Sequence, residues 1–350
     1  MTTSTSPERS PAADRATTMR ALIQDRYGPP DVLRIARVPV SAPEAGQVLV
    51  RVHAASVNAR DWHIMRGEPR LARLLDRSIF ARTGPRNPIR GTDFAGVVEE
   101  VGPGVALWRP GDAVYGEALG TAGTFAEYTI AAADSIAAIP AGVTFPQAAA
   151  TPLAATTALR CLRAGHAEPG QRVLINGAAG GVGTFAIQLA AWLGLRVTAV
   201  CSTRNTELAR SLGAHQVIDY QQQDFRHAGR GNDVVIDLVG NRSLGDLRAV
   251  LRPGGHLVLS GGGVPGRGRI LGPLGLLLRA QLAATLTRTP ISTPKATPDA
   301  GTLTELAQLI ATGMITPVVD RTFDLTDAAA AVDYLETHHA RAKVVINGHG

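Results

Sequence analysis

The chain has 350 residues, of which 45% are hydrophobic and 4% aromatic, with 38 glycines and a formal net charge of +6. This length suits two domains or one large one, and the glycine content suits an α/β protein rich in tight turns. No run of about 18 uninterrupted apolar residues occurs, which argues against stable membrane insertion. Cys161 and Cys201, the only cysteines, exclude a disulfide framework and a four-cysteine zinc lobe.

The basic balance comes from scattered arginines, since Lys295 and Lys343 are the only lysines. No aromatic stacking array accompanies them, so nucleic acid is not the expected partner, and a small anionic ligand is a better use for a few of them. The N-terminal stretch "MTTSTSPERSPAADRATT" reads as a disordered tail over residues 1–18. It lacks the apolar core of a secretory signal, and a cytoplasmic location is expected.

In chain order, "MRALIQDRYG", "VLRIARVPV" and "GQVLVRVHAASVN" read as short strands divided by turns. An arginine-rich insert over 66–90 follows, and then "GTDFAGVVEEVGPGV", "GDAVYGEA" and "GTFAEYTIA" continue the strand pattern. Together they predict an all-β, barrel-like unit over about residues 20–140. The stretch "TFPQAAATPLAATTALRCLRAG" predicts a helix with Thr144 as its N-cap.

Strands and helices then alternate. "QRVLING", "LRVTAVC", "HQVIDY", "DVVIDLVG" and "HLVLSGG" are strands, while "VGTFAIQLAAWLG", "NTELARSLG" and "SLGDLRAVLRPGG" are helices. Continuous apolar strands in this order predict a parallel, doubly wound sheet. The segment over 261–301 interrupts the order, as a helix packed at a subunit or domain contact, a lid, or an amphipathic helix on a membrane. "LTELAQLIATGMI", "PVVDRTFDL", "TDAAAAVDYLETHH" and "KVVI" end the chain as further helices and strands that fold back onto the first unit.

The strongest motif is "VLINGAAGGVGTFAIQLA" over 173–190, a strand, a glycine turn and a helix in the order a dinucleotide site needs. Small residues through Gly177, Ala178, Ala179, Gly180, Gly181, Val182 and Gly183 let the backbone approach a pyrophosphate, and the helix N-terminus supplies free N–H donors. The following strand ends in "CSTRN", placing Ser202, Thr203, Arg204 and Asn205 where an NAD site carries an acid. Hydroxyls and a guanidinium suit a 2′-phosphate, so NADPH is expected over NADH, with Tyr220 a further candidate for that phosphate.

These motifs, with "AASVNARDW", "GTDFAG", "GDAVYG", "GTFAEY", "AAATPLAATTA", "DLVG" and "ARAKVVI", resemble the medium-chain dehydrogenase/reductase superfamily over about Met19 to Ile346. Within it the resemblance is to the zinc-independent quinone oxidoreductase-like, alcohol dehydrogenase-like branch. It implies an α/β chain with a GroES-like β-barrel domain (19–143 and 301–350), a Rossmann NADP-binding domain (144–300), and a homodimer. The zinc-dependent branch carries a cysteine before "ARD" and a His-Glu pair in its glycine motif. Here "SVN" and Thr92-Asp93 stand in those places, so no metal ligands are assigned.

The resemblance places Asn58 beside the nicotinamide and substrate, with Thr157, Val239 and Lys343 near the cofactor. A surface salt bridge is the other reading of Lys343. His63 either donates to the substrate oxygen or bonds Asp61 or the cofactor ribose, and Asp61 orients a neighbour. Without a Lewis acid, charge must be delocalised on the substrate, which points to a small-molecule quinone or α,β-unsaturated carbonyl (enone). An NADP-dependent alcohol dehydrogenase or carbonyl reductase, and a non-catalytic NADPH-binding redox sensor, are the alternative readings.

Overall fold

The computed structural model describes residues 17–118, 120, 122–261, 289–295, 297–338 and 340–348. Most of the expected tail, and residues 262–288 of the interrupting segment with its expected helix, lie outside the described residues.

The strands, in chain order, begin with β1 (Thr18–Gln24), β2 (Leu33–Pro39), β3 (Gln47–Val57), β4 (Asp93–Val101), β5 (Ala113–Glu117), β6 (Tyr128–Ala132) and β7 (Ile136–Ala138). β8 (Arg172–Asn176), β9 (Arg196–Cys201), β10 (Gln216–Asp219), β11 (Asn232–Asp237), β12 (Leu251–Leu259) and β13 (Ile291–Ser292) follow. β14 (Val319–Asp324) and β15 (Lys343–Asn347) close the chain.

β8 to β13 form the expected parallel sheet in the order β10-β9-β8-β11-β12-β13. Val173, Leu174 and Ile175 of β8 are fully buried, as strands covered by helices on both faces must be. Each such aliphatic side chain contributes about 1.5–3 kcal/mol by leaving water. The order reverses between β8 and β11, which stay paired to their ends at Asn176 and Asp237, and the crevice outside such a switch point is the place where doubly wound sheets bind ligands. Helix Gly181–Trp192 starts at that crevice. Gln188 ties it to the tail of the chain, accepting from the Thr316 N–H at 2.7 Å and donating to its carbonyl at 3.1 Å.

The second sheet runs β14-β15-β3-β4-β5-β7, with β6 on β3, while β1 and β2 pair as a separate ribbon. The strand content is as read from the sequence, but the closed barrel is not formed. Among the described residues the ladder does not return from β7 to β14, and closure needs every strand paired on both sides. Instead β15, from the C-terminal end, adds antiparallel to β3, and helix Ala300–Ala311 lies against β7. The Tyr115 hydroxyl donates to the Leu303 carbonyl at 2.7 Å and fixes that helix in place.

Two helices differ from expectation for proline reasons. The stretch after Thr144 is two helices, Phe145–Ala149 and Pro152–Ala164, because Pro152 has no N–H to donate back into the first. Thr144 does cap the first, in a reciprocal box with Gln147. The helix expected through "RAVLRPGG" stops at Ala249 and becomes β12, where Pro253 lacks a donor and Gly254 takes φ +77°.

Candidate active site

The open sheet gathers polar side chains at one end through its register. Ser56 of β3 stands opposite Asp93 of β4, Asp93 opposite Glu117 of β5, and Val57 opposite Val344 of β15. Lys343 therefore enters β15 beside the point where β3 ends at Val57 and Asn58 follows. The Lys343 ammonium donates to Asn58 Oδ1 and to the Val57 carbonyl, the latter at 3.2 Å, and lies 3.7 Å from Asp93 Oδ2. The same Asp93 oxygen accepts from Ser56 Oγ at 3.2 Å and from the Leu153 N–H at 3.3 Å, which joins helix Pro152–Ala164 to the cluster. Asn58 Nδ2 makes long contacts to the Ser56 carbonyl at 3.3 Å and Thr92 Oγ1 at 3.4 Å, and the Asn58 side chain also bonds the Asp93 carboxylate.

The polar side chains of the cluster are buried, Lys343 at 2% and Asp93 at 0% exposure. Burial pushes the Asp93 carboxyl up and the Lys343 ammonium down, and each charge resists the shift of the other. Glu117 is pushed up to about 7, first by burial and then by the carboxylate of Asp93 directly across the ladder. Arg60 stands 3.6 Å from it.

Asn58 also begins helix Ala59–Arg66. Its N–H donates to Asp61 Oδ2 at 2.7 Å, the carboxylate half of a capping box, so Asp61 orients the backbone of Asn58. Burial pushes Asp61 up to about 6, with Arg90 opposing. His63 turns the other way. Its Nδ1 lies 3.0 Å from the Glu68 carbonyl, and the ring stacks on Trp62 with centroids 3.7 Å apart. A carbonyl only accepts, so Nδ1 carries the proton in that bond. The structure thus brings Asn58, Asp61 and Lys343 together and holds His63 by a bond outside that cluster.

The glycine turn meets this cluster from the parallel sheet. Gly177 takes φ +83°, and a Cβ there would stand 2.5 Å from Val239 Cγ2, so Val239 packs under the turn. A Cβ on Gly183 would lie 2.3 Å from the Gly177 carbonyl oxygen, which is why helix and strand approach only over glycine. At Gly180 the nearest atom is 3.5 Å away, and no side chain caps the helix it begins. That uncapped helix start is a cradle suited to a pyrophosphate, although the Gly180 N–H itself donates to the Gly177 carbonyl at 3.1 Å. Ala178 and Ala179 are buried in the turn, Gly181 and Val182 half-buried at the helix start, and Thr157 half-buried on helix Pro152–Ala164.

No carboxylate ends β9. Ser202 Oγ accepts from Asn205 Nδ2 at 3.1 Å, and exposed Arg204 reaches the His338 carbonyl at 3.4 Å. The Thr203 hydroxyl is committed to Asp219 and Gln221. Tyr220 is 48% exposed and lines a cavity of about 430 Å³ with Phe225, Arg226 and Arg242.

The sequence reading passed over Ser56, Glu117 and Arg242, and read Thr92-Asp93 only as a substitution. The available signal was an acid inside two otherwise apolar strands, "TDFAGVV" and "AVYGEA", since ionisable residues are rarely fully buried without a purpose. Among the described residues no group of three His, Cys, Asp or Glu side chains could hold a metal ion. Around its ammonium the cluster offers a carboxamide, a hydroxyl and the Asp93 carboxylate, with Asp61 and Glu117 committed to the Asn58 N–H and to Arg60, and the ammonium repels a cation. These residues do not fit zinc.

A parallel sheet with an open glycine turn, set against a sheet end that presents a buried lysine, carboxamide and carboxylate, defines a two-part dehydrogenase or reductase. Residues 44–141 match the alcohol dehydrogenase GroES-like domain and residues 212–346 the family described as zinc-binding dehydrogenase. The chain is 30% identical to "NAD(P)H oxidoreductase RTN4IP1, mitochondrial" of Bos taurus, over 97% of this chain and 91% of that protein. It is 32% identical to "NADPH-dependent alkenal/one oxidoreductase, chloroplastic" of Arabidopsis thaliana, over 94% and 79%. The solved quinone oxidoreductase from Coxiella burnetii superposes with a TM-score of 0.82 at 32% identity, over 94% of this chain and 99% of that one. The chain belongs to the medium-chain dehydrogenase/reductase family and is an oxidoreductase.

Proposed function

We propose that the protein is an NADPH-dependent reductase of quinones or α,β-unsaturated carbonyl compounds that works without a metal ion. The observation that carries this reading is the meeting of a glycine turn and a lysine-held carboxamide across the Ala342–Lys343 dipeptide, with a donor set unsuited to zinc. NADPH, when bound, supplies the hydride. The backbone at the start of helix Gly181–Trp192 receives the pyrophosphate, with the Gly180 N–H held by the Gly177 carbonyl at 3.1 Å, and Gly177, Ala178, Ala179 and Gly183 keep the turn thin enough for that approach. Ser202, Arg204 and Tyr220 face the 2′-phosphate, with Thr203 and Asn205 shaping the loop and Arg242 on the adenosine side. Val239 and Thr157 wall the nicotinamide end. Asn58 Nδ2 donates to the substrate oxygen, and delocalisation over a quinone or enone limits the charge that this one donor must stabilise. The names of the similar proteins, quinone and alkenal/one oxidoreductases, agree with that substrate class.

The test is oxidation of NADPH, followed at the nicotinamide absorbance band, with a quinone and enone panel in chelator and with a simple alcohol plus NADP⁺ in parallel. Turnover of the panel well above the alcohol is expected. Equal turnover of the alcohol would favour an alcohol dehydrogenase, and NADPH binding without consumption a sensor.

His63→Ala is expected to leave NADPH affinity unchanged and to lower kcat by less than about tenfold, because the Nδ1 proton is already committed to the Glu68 carbonyl. A loss of more than about a hundredfold, not explained by unfolding on circular dichroism, would make His63 the proton donor. Arg204→Ala is expected to weaken NADPH binding about tenfold while leaving NADH binding in place, as loss of one charge-assisted bond requires. Fluorescence titration with both nucleotides reads this directly, and equal weakening of both would remove Arg204 from the 2′-phosphate.

A further inference from the structure

Lys343 is one of the two lysines of the chain and the one that is buried, at 2% exposure, so it is not part of a surface salt bridge. An ammonium has three donors and no acceptor, and therefore the carboxamide atom of Asn58 that faces it is Oδ1. With that oxygen held, Asn58 can present only Nδ2 elsewhere; its two N–H groups meet the Ser56 carbonyl and Thr92 Oγ1 at the long distances of 3.3 and 3.4 Å, and the side chain also bonds the Asp93 carboxylate.

The backbone beside Lys343 is tied to a different place. Ala342 adopts φ +64°, a conformation that alanine rarely takes. There its N–H donates to the Ala179 carbonyl at 2.8 Å, and Gly180 and Ala342 form a parallel bridge. The stem of Lys343 crosses the glycine turn, since a Cβ on Gly181 would stand 2.8 Å from Lys343 Cδ. One dipeptide thus touches the cradle through its backbone and stem, and touches Asn58 through its ammonium. A strained φ at such a junction persists only where its surroundings over-determine it.

We infer that Lys343 is a positioning residue: it holds Asn58 with Oδ1 inward and Nδ2 available as a donor, and it couples that orientation to the glycine turn. The reading rests on the function proposed above only for what Nδ2 meets. It differs from a cofactor contact, because to reach a phosphate the ammonium would have to leave Asn58, Val57 and Asp93 in the interior.

The experiment labels asparagine with ¹⁵N, assigns the Asn58 side-chain resonance through its loss in Asn58→Ala, and compares wild type with Lys343→Met. NADPH affinity and quinone kinetics are measured on the same proteins. In Lys343→Met the Asn58 Nδ2 resonance should move toward that of a mobile carboxamide. NADPH affinity should stay within about threefold, while kcat falls by about tenfold to a hundredfold, the range for a misplaced donor. Asn58→Ala with Lys343→Met should be no slower than Asn58→Ala alone, since Lys343 acts through Asn58.

An unmoved Asn58 resonance would overturn the inference, and so would additive kinetic losses or an NADPH affinity lost by more than about tenfold with kcat kept. Should Lys343→Met fail to fold, Gly181→Ala displaces the lysine stem while keeping its charge, and the same movement of the Asn58 resonance is expected. A wild type that reduces no quinone or enone would sink the proposed function, while the spectra would still decide the Lys343–Asn58 coupling.

Discussion

Gly183→Ala is expected to lose about 3 kcal/mol of stability or more and, with it, at least tenfold in NADPH affinity. The added methyl would lie 2.3 Å from the Gly177 oxygen and 2.6 Å from the Ala178 carbonyl atoms. All of these are backbone, so no side-chain rotation relieves the clash, and the turn must open away from the helix. Gly180→Ala is the matched control. Its methyl meets nothing closer than 3.5 Å and its φ is −78°, an ordinary value for alanine, so the fold should keep its stability. That methyl projects into the open cradle, and NADPH binding alone should weaken. Thermal unfolding with and without NADPH separates the two, because a ligand at about a hundred times its Kd adds about 2.7 kcal/mol to a protein that binds it. A Gly183→Ala protein with wild-type Tm and a full NADPH-induced shift would show that the turn is not what brings helix and strand together.

Asp93→Asn is the second large effect, expected to cost about 3 kcal/mol, the lower end for a buried pair that loses one partner. The asparagine keeps the shape of the side chain and an acceptor for the Ser56 hydroxyl and the Leu153 N–H, which lie at 3.2 and 3.3 Å. Among the described residues it removes the one carboxylate paired within 4 Å of the Lys343 ammonium, leaving a charge at 2% exposure opposed only by the more distant Asp61 and Glu117. Combined with Lys343→Met, the substitution should recover most of the loss, since the uncompensated charge is then gone as well. The two hydroxyl and amide donors on Asp93 favour its ionised form, and for that reason we take the pair as charged at neutral pH. A second readout follows from the sheet register. Asp93 is, after burial, the strongest influence raising Glu117 to about 7, so the Glu117 carboxyl should titrate lower in Asp93→Asn, as ¹³C carboxyl spectra would show. Wild-type stability together with an unmoved Glu117 would mean that the pair is neutral in the folded protein.

The parallel sheet was legible because its strands are short apolar runs with a glycine turn and an apolar helix at the first crossover. Those are local properties: continuous Val, Leu and Ile mark a strand covered on both faces, and glycines that each have a steric reason mark a close approach of backbone. The strand ends carrying Ser202, Arg204 and Tyr220 were legible for the same reason, since position after a strand is counted along the chain. Asn58 and Lys343 were singled out through resemblance, but with no physical link between them, because 285 positions separate them. The helix breaks at Pro152 and Pro253 could have been read from proline chemistry alone.

The sequence by itself determined the alternation of strands and helices, the glycine cradle, the missing acid after β9 and the shortage of metal ligands, because each depends on residues that are neighbours in the chain. Only the tertiary structure decided that β15 adds to β3 and leaves the second sheet open. That pairing, together with the β3–β4–β5 register, sets Lys343, Asn58, Asp93 and Glu117 at one sheet end. It also decided that the proton on His63 Nδ1 points to a backbone carbonyl. The physical reason is that register and burial are settled by long-range pairing, and a buried charge acquires its role only from the groups that pairing places around it.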